Sequence, residues 1–487
     1  MKKFGDLLFA AVIVVAGTIT VYFITEENSR AMNVKAMDDL VNPQLAKWEK
    51  ELPIPPVLKD QNPDPNKAEF HLKAQKGKKE FFPGMEADTL GFNGDYLGPL
   101  IRVKTGEQVQ MKVENQIGEE TTVHWHGLEI DGEDDGGPHT VIDNGTVWAP
   151  EFTINQPAGT MWYHPHLLDE TGRQVYKGLA GLFYIDDENS KSLDIPKKYG
   201  VDDIPLIVQD RTFTEDGNIT YNLNMPDVMM GLHGDTVTVN GAINPYKEVP
   251  RGKVRFRLLN GSNARIYDFQ LDNGESFHQI ASDGGLLEKP VEMDSLTLSP
   301  GERAEIIVDF SDYKKGETVQ LTDSGTPFIE FRVDNKKGND SPLPDKLADI
   351  PEPDRSSAKR TREIAMQGMG PMVNINGKQM DINRIDEVLK LHEPEIWGIT
   401  NPKMRMMGNE GGLAHPFHVH GVQFQVLSRD GNQPPQNERG WKDTVLVYPG
   451  EEVEVLATWD YKGIFMYHCH ILEHEDAGMM GQIKVEE

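Results

Sequence analysis

Short runs in which apolar and polar residues alternate fill the chain from about residue 66 to its end. Residues 254–260 read VRFRLLN and residues 453–459 read VEVLATW. Alternation with period two puts every second side chain on one face of a strand. Gly, Pro, Asn and Asp interrupt the runs at short intervals, and helical periodicity is scarce. The pattern predicts an all-β protein of sandwich or Greek-key barrel modules.

The pattern also repeats. Phe92-Asn93-Gly94, Val239-Asn240-Gly241 and Ile375-Asn376-Gly377 recur one small module apart. Each is followed later by a glycine turn entering a β-rich run: PAGTMWYH at 157–164, SPGERAEIIVDF at 299–310 and YPGEEVEVLATW at 448–459. Three related modules follow, over 66–190, 191–335 and 363–487. Residues 336–362 are charged, proline-rich and poor in apolar positions, and read as the linker between the second and third.

The N-terminus departs from this pattern. Lys2 and Lys3 precede an apolar run from Leu7 to Ile24, broken only by Gly17, Thr18 and Thr20. The run is long for a signal-peptide core and close to the minimum for a membrane-spanning helix. Residues 1–31 read as a hydrophobic signal anchor helix, or as a signal peptide if cleaved at Ser29-Arg30-Ala31. Residues 32–65 are polar and proline-rich, a linker and wrapping arm. Either way the rest of the chain is exported, anchored to the cell membrane facing outside or secreted. No twin-arginine pair is present, so the route is Sec-like.

Composition narrows the partners. Acidic residues number 78 against 49 basic ones, a formal net charge of −29, and they are dispersed rather than gathered in a tail. Phosphate binding needs basic patches, which argues against nucleic acid. A negative field suits cationic substrates such as metal ions or amines, although it serves solubility equally well.

The chemistry concentrates at YHCHILEHEDAGMM, residues 467–480, which holds Cys469, the one cysteine in the chain. No intrachain disulfide is possible. An inert buried thiol predicts apolar neighbours, yet His468 and His470 flank it. A nucleophilic cysteine leaves the nearby methionine unexplained, and a zinc site has no use for a thioether. A trigonal site of two histidines and a cysteine with a long axial methionine is the blue-copper arrangement. Cys469, His474 and Met479 supply three of its ligands.

Ten of the fifteen histidines fall in four clusters: HWHG at 124–127, HPH at 164–166, HPFHVHG at 415–421 and HCHILEH at 468–474. Residues i and i+2 of a strand share a face. His124 and His126 therefore converge, as do His164 and His166, His418 and His420, and His468 and His470. Cys469 takes the opposite face, so HCH serves two sites, one on each side of its strand. Eight imidazoles exceed the needs of one metal and suit a cluster of three. His415, at an odd offset from His418 and His420, is free to turn away and complete the cysteine site. His71, His139, His233, His278 and His392 lie outside the clusters.

These four clusters, in this order, resemble the signature of the multicopper oxidases, and the resemblance runs from about residue 66 to the end. DGGPHTVI at 135–142, TGRQVYKGLAGLFYI at 171–185, GDTVTVNGAINP at 234–245 and GWKDTV at 440–445 are most similar to the bacterial three-domain branch of laccases and copper-tolerance cuprous oxidases. The resemblance implies three cupredoxin-like domains and four copper ions. One type 1 ion is held by His415, Cys469, His474 and axial Met479. One type 2 ion is held by His124 and His418. Two type 3 ions are held by His126, His164, His166, His420, His468 and His470. It implies electron entry through the exposed edge of His415, transfer through Cys469 to His468 and His470, and dioxygen reduction between the first and third modules. Asp135 and Glu475 match the family's proton carriers. The second module is implied to be a spacer and part of the substrate rim.

The activity so implied is one-electron oxidation of phenols or aromatic amines coupled to four-electron reduction of dioxygen to water. The alternatives are a cuprous oxidase for copper detoxification and a non-catalytic copper-binding or storage protein. A scaffold on the same fold is a weaker reading, because no ligand is missing. Cuprous oxidases of this branch carry a methionine-rich insert and an Asp and a Met just before the third histidine cluster. Here the linker has no methionine, and Gly411 and Leu413 stand four and two positions before His415. Met229-Met230 and the MRMMG run at 404–408 are the partial substitutes. The expected partners are a small-molecule electron donor and dioxygen, with no nucleic acid, no implied oligomer, and membrane contact only through the N-terminal segment.

Overall fold

The computed structural model describes residues 9–15, 18–24, 48–406 and 409–487. The arm expected at 32–65 is described from Trp48 onward, and the cleavage-like site at 29–31 lies outside the described residues. The N-terminal segment forms a unit by itself. Instead of the expected helix, Phe9–Val15 pairs antiparallel with Thr18–Ile24, Phe9 opposite Ile24 and Val15 opposite Thr18. Both runs are rich in Val, Ile and Thr, whose branched Cβ favours strands. No helix among the described residues is long and apolar enough to cross a membrane.

From Trp48 onward the chain folds as three successive pairs of β-sheets, as alternation predicts. The first module has a four-stranded and a five-stranded sheet, the second a seven- and a five-stranded one, the third a six- and a five-stranded one. The inward-facing residues make a separate core in each module, centred on Phe70, Leu72 and Val113, on Phe256, Phe269 and Phe331, and on Trp397, Phe417 and Phe465. The last strand of the second module runs to Lys337 and the first of the third begins at Arg360, so the expected linker is trimmed at both ends. Residues of the arm are ordered: Leu52 and Leu58 donate main-chain hydrogen bonds to Tyr246 and Leu100, at 2.7 Å each.

Two strand pairs carry the chemistry. In the first module His124–His126 lies antiparallel to Gly159–His164, with His164 opposite His124. In the third, His415–Val419 lies between Thr444–Val447 and Gly463–Cys469, with Phe417 opposite Cys469 and His418 opposite His468. A short helix, Leu472–Asp476, follows the HCH strand directly and turns His474 back toward Cys469. Glycine is required at Gly136, in DGGPH. It has φ +80°, and a Cβ there would meet the Val123 carbonyl oxygen at 1.8 Å. The tight turn holds Asp135 against His124.

Candidate metal centres

Eight imidazoles meet where the first and third modules touch, all essentially excluded from solvent. Two stacks join the modules. His124 lies on His420 with centroids 3.7 Å apart and 13° between planes, and His126 lies on His418 at 3.8 Å and 8°.

The outer hydrogen bonds orient the rings. Nδ1 of His124, His164, His418 and His468 donates to the carbonyl oxygens of Asp135, Pro165, Asp443 and Cys469, at 3.0, 2.7, 2.8 and 3.0 Å. His420 Nδ1 donates to Asp135 Oδ2 at 2.8 Å. Each of these rings therefore turns Nε2 inward. His126 is reversed: its Nε2 donates to Asp443 Oδ1 at 3.1 Å, and its Nδ1 faces His164 Nε2 at 3.4 Å.

The inward nitrogens crowd without protein partners to satisfy them. Nε2 of His468 is 3.2 Å from Nε2 of both His166 and His420. Nε2 of His124 and His418, and both nitrogens of His470, are buried with no hydrogen-bond partner. Burial, then repulsion from neighbouring imidazoles, pushes the basicity of His126, His164, His166, His418, His420 and His468 well below the usual histidine range. Neutral imidazoles with converging lone pairs are the form in which histidine binds metals.

A second group lies on the other face of the HCH strand. Cys469 Sγ is 3.4 Å from His415 Nδ1 and 3.8 Å from His474 Nδ1, and the Ile471 N–H donates to it at 3.5 Å. Burial lowers His415 to about 3 and His474 to about 4, and raises the Cys469 thiol. Met479 is fully buried, and its main chain bonds both partners: its carbonyl accepts from Cys469 at 3.0 Å and its N–H donates to His474 at 2.9 Å.

Asp135 and Glu475 each touch two rings of the eight-histidine group. Asp135 Oδ2 is 3.3 Å from His124 Nδ1 and 2.8 Å from His420 Nδ1. Glu475 is 3.5 Å from His166 Nδ1 and 3.2 Å from His468 Nδ1, and burial raises its carboxyl well above the usual range. The ten histidines and the cysteine read as ligands, and both carboxylates, thus fall in two adjoining clusters, and Met479 joins the second through its main chain.

Sequence reasoning missed several neighbours. Asp443 accepts from His126 and pairs with Arg303 of the second module. Its signal was available in GWKDTV, read there only as a mark of resemblance. The second module is also more than a spacer. A Cβ at Gly301 would sit 2.8 Å from the His470 ring, and the Met229 carbonyl accepts from His474 Nε2 at 3.1 Å. Glu473 ties that segment down, accepting from Tyr221 Oη at 3.0 Å and from the Leu232 N–H at 2.9 Å.

Family models described as Multicopper oxidase match residues 73–190, 187–317 and 348–487, which together span most of the chain. The chain belongs to the multicopper oxidases. It is 42% identical over 454 residues to Multicopper oxidase mco of Staphylococcus haemolyticus, covering 93% of this chain and 96% of that one. A crystal structure of laccase from Pediococcus acidilactici superposes with TM-score 0.85 at 40% identity, covering 91% of this chain and 95% of that one. Cell division protein FtsP of Escherichia coli is 36% identical over 462 residues, covering 89% of this chain and 92% of its own. The three modules of this oxidase are therefore cupredoxin-like. The family implies copper, and the donor set fits it: soft sulfur with imidazole in one cluster, and orphaned buried imidazole nitrogens in the other.

Proposed function

We propose that this multicopper oxidase is laccase-like, coupling one-electron oxidation of phenols and aromatic amines to reduction of dioxygen to water with four copper ions. His415, Cys469, His474 and Met479 hold the type 1 ion. His124 and His418 hold the type 2 ion. His126, His164, His166, His420, His468 and His470 hold the type 3 pair. One observation carries the reading: Cys469 faces one cluster while His468 and His470, its neighbours in the chain, face the other. A storage protein or a scaffold has no need for two clusters joined through a single peptide segment. Bound copper supplies the electron storage and the oxygen chemistry.

The chain's own residues govern entry, transfer and protons. His415, expected to present an exposed edge, is buried at 2%. It stays the proposed point of electron entry because Nε2 of the other histidine, His474, is occupied by the Met229 carbonyl. From Cys469 a covalent main-chain path of one residue in each direction reaches the second cluster. Asp135 and Glu475 hold the protons that oxygen reduction consumes. The basic and then apolar N-terminus supports export, with the oxidase anchored outside the cell membrane, or secreted if the segment is removed.

Met479→Leu leaves the protein folded and blue but raises the type 1 potential. The thioether donates electron density to oxidised copper; leucine fills a similar volume without donating, and such swaps cost under about 1.5 kcal/mol. A redox titration checks this, and an unchanged or lower potential shifts the axial role to Met480.

Phenols are favoured as donors because the linker lacks a methionine-rich insert and Gly411 and Leu413 offer no ligand. A cuprous donor is the second reading, favoured by exposed thioethers on and against the segment whose Met229 carbonyl covers His474. Met225–Met230 packs on Gly370–Met372, and Met225, Met230 and Met372 are 66, 44 and 73% exposed. The test is kcat/KM for a dimethoxyphenol and for cuprous ion, with and without leucine at Met225, Met230 and Met372. The expected result is the higher value for the phenol, unchanged by leucine. Dominant cuprous turnover that collapses with leucine reverses the ranking. A blue, copper-loaded protein that consumes no oxygen with either donor favours storage.

A further inference from the structure

Arg303 belongs to the second module, yet its guanidinium lies behind the histidine cluster with no solvent exposure. A guanidinium has five N–H donors in a rigid fork, and here each has an oxygen partner. Nε donates to the Thr160 carbonyl of the first module at 3.0 Å. Nη1 donates to the Gly301 carbonyl at 3.1 Å and to Asp443 Oδ1 at 2.6 Å. Nη2 donates to Asp443 Oδ2 at 2.6 Å and to the Asp283 carbonyl at 3.1 Å, with Met161 Sδ at 3.3 Å. One side chain therefore binds all three modules.

Asp443 carries this grip to the rings. Its Oδ1 accepts from His126 Nε2, and its main-chain carbonyl accepts from His418 Nδ1. Gln423 Nε2 at 2.7 Å and Thr444 Oγ1 at 2.9 Å complete its partners. The carboxylate is why His126 is reversed, with Nδ1 inward. The pair also accounts for the glycine of HWHG. A Cβ at Gly127, which has φ +92°, would lie 2.7 Å from Arg303 Nη2 and 2.8 Å from Asp443 Oδ2. Without Arg303, the Asp443 carboxylate is buried without a counter-charge, and neither its position nor the His126 ring is held.

We propose that Arg303 is a positioning residue for the trinuclear copper cluster: through Asp443 it holds His126 with Nδ1 toward the metal, so that docking of the second module is a condition for loading copper there. This rests on the ligand assignment above. Disturbing such outer partners costs about 10- to 100-fold in metal affinity.

The test uses full-length Arg303→Lys and Asp443→Asn proteins, read by copper content, electron paramagnetic resonance of the type 2 ion, and the near-ultraviolet band of the type 3 pair. Lysine keeps the charge but cannot span three modules. Asparagine leaves Arg303 its carbonyl contacts to the first and second modules but replaces the carboxylate that it shares with His126 by an amide. The blue band, built by third-module residues alone, reports folding and type 1 loading. Both variants are expected to stay blue while copper at the histidine cluster binds about 10- to 100-fold more weakly, with an altered type 2 signal and a diminished type 3 band. Wild-type spectra in both variants overturn the proposal. Loss in Arg303→Lys with a wild-type Asp443→Asn also overturns it, leaving Arg303 a role in module docking alone. If Arg303→Lys does not fold, Asp443→Asn decides. A wild-type protein lacking the blue and near-ultraviolet bands instead refutes the ligand assignment itself.

Discussion

Cys469→Ser yields a colourless protein with no measurable oxidase turnover, while copper remains bound at the eight-histidine cluster. The colour of a blue site is charge transfer from thiolate to copper, and a serine hydroxyl offers no soft donor. The substitution also removes the bridge between the clusters. Cys469 Sγ meets His415 Nδ1 and His474 Nδ1 on one face of its strand, while His468 and His470 face the opposite side. In the proposed wiring, donor electrons would enter on the first face and oxygen would be reduced on the second, so losing the thiolate would disconnect them. The eight-ring cluster uses no sulfur and keeps its outer hydrogen bonds to Asp135, Pro165 and Asp443. Absorption spectra, copper counts and oxygen uptake check this together. A Cys469→Ser protein that keeps its blue band refutes the assignment.

Glu475→Gln and Asp135→Asn slow dioxygen reduction by about 10²- to 10⁴-fold, the usual contribution of a positioned proton carrier. Reduction of the blue site by donor stays near wild type, because the rings that the two carboxylates meet are those of His124, His420, His166 and His468 and not those of His415 or His474. Both changes keep size and remove the titratable proton. Glu475 suits the role because it lies against two rings of the cluster, and burial first, and then its acidic neighbour Asp476, raises its carboxyl above the usual range. Its oxygens lie against His166 and His468, and those of Asp135 against His124 and His420, so the two carriers serve four different rings. Stopped-flow reoxidation of fully reduced protein separates the half-reactions. Normal reoxidation in both variants returns these residues to a structural role.

Most of the site was legible because local geometry specifies it. The period of a strand is two wherever it forms, so H-x-H pairs converge, and Cys469 turns away from His468 and His470, before any tertiary contact is known. Adjacency in the chain links the two clusters whatever the packing. The same alternation called the β-sheet modules. The N-terminal segment shows the limit of such reading: its apolar length suggested a helix, whereas its β-branched runs pair as strands.

Sequence alone determined the fold class, picked out the twelve residues proposed here as copper ligands, and divided the HCH triplet between two faces, because each depends on spacings of a few residues. Tertiary structure alone decided which ring nitrogen faces inward, which histidine edge is covered, and what the second module does. Arg303 stands 140 residues before Asp443 in the chain, and in SPGERAE it looks like any charged residue entering a strand. The Met229 carbonyl reaches His474 across 245 positions. A buried ion pair or a covering carbonyl arises only when distant segments are brought together, because its charge and hydrogen-bond partners are supplied by packing rather than by local spacing.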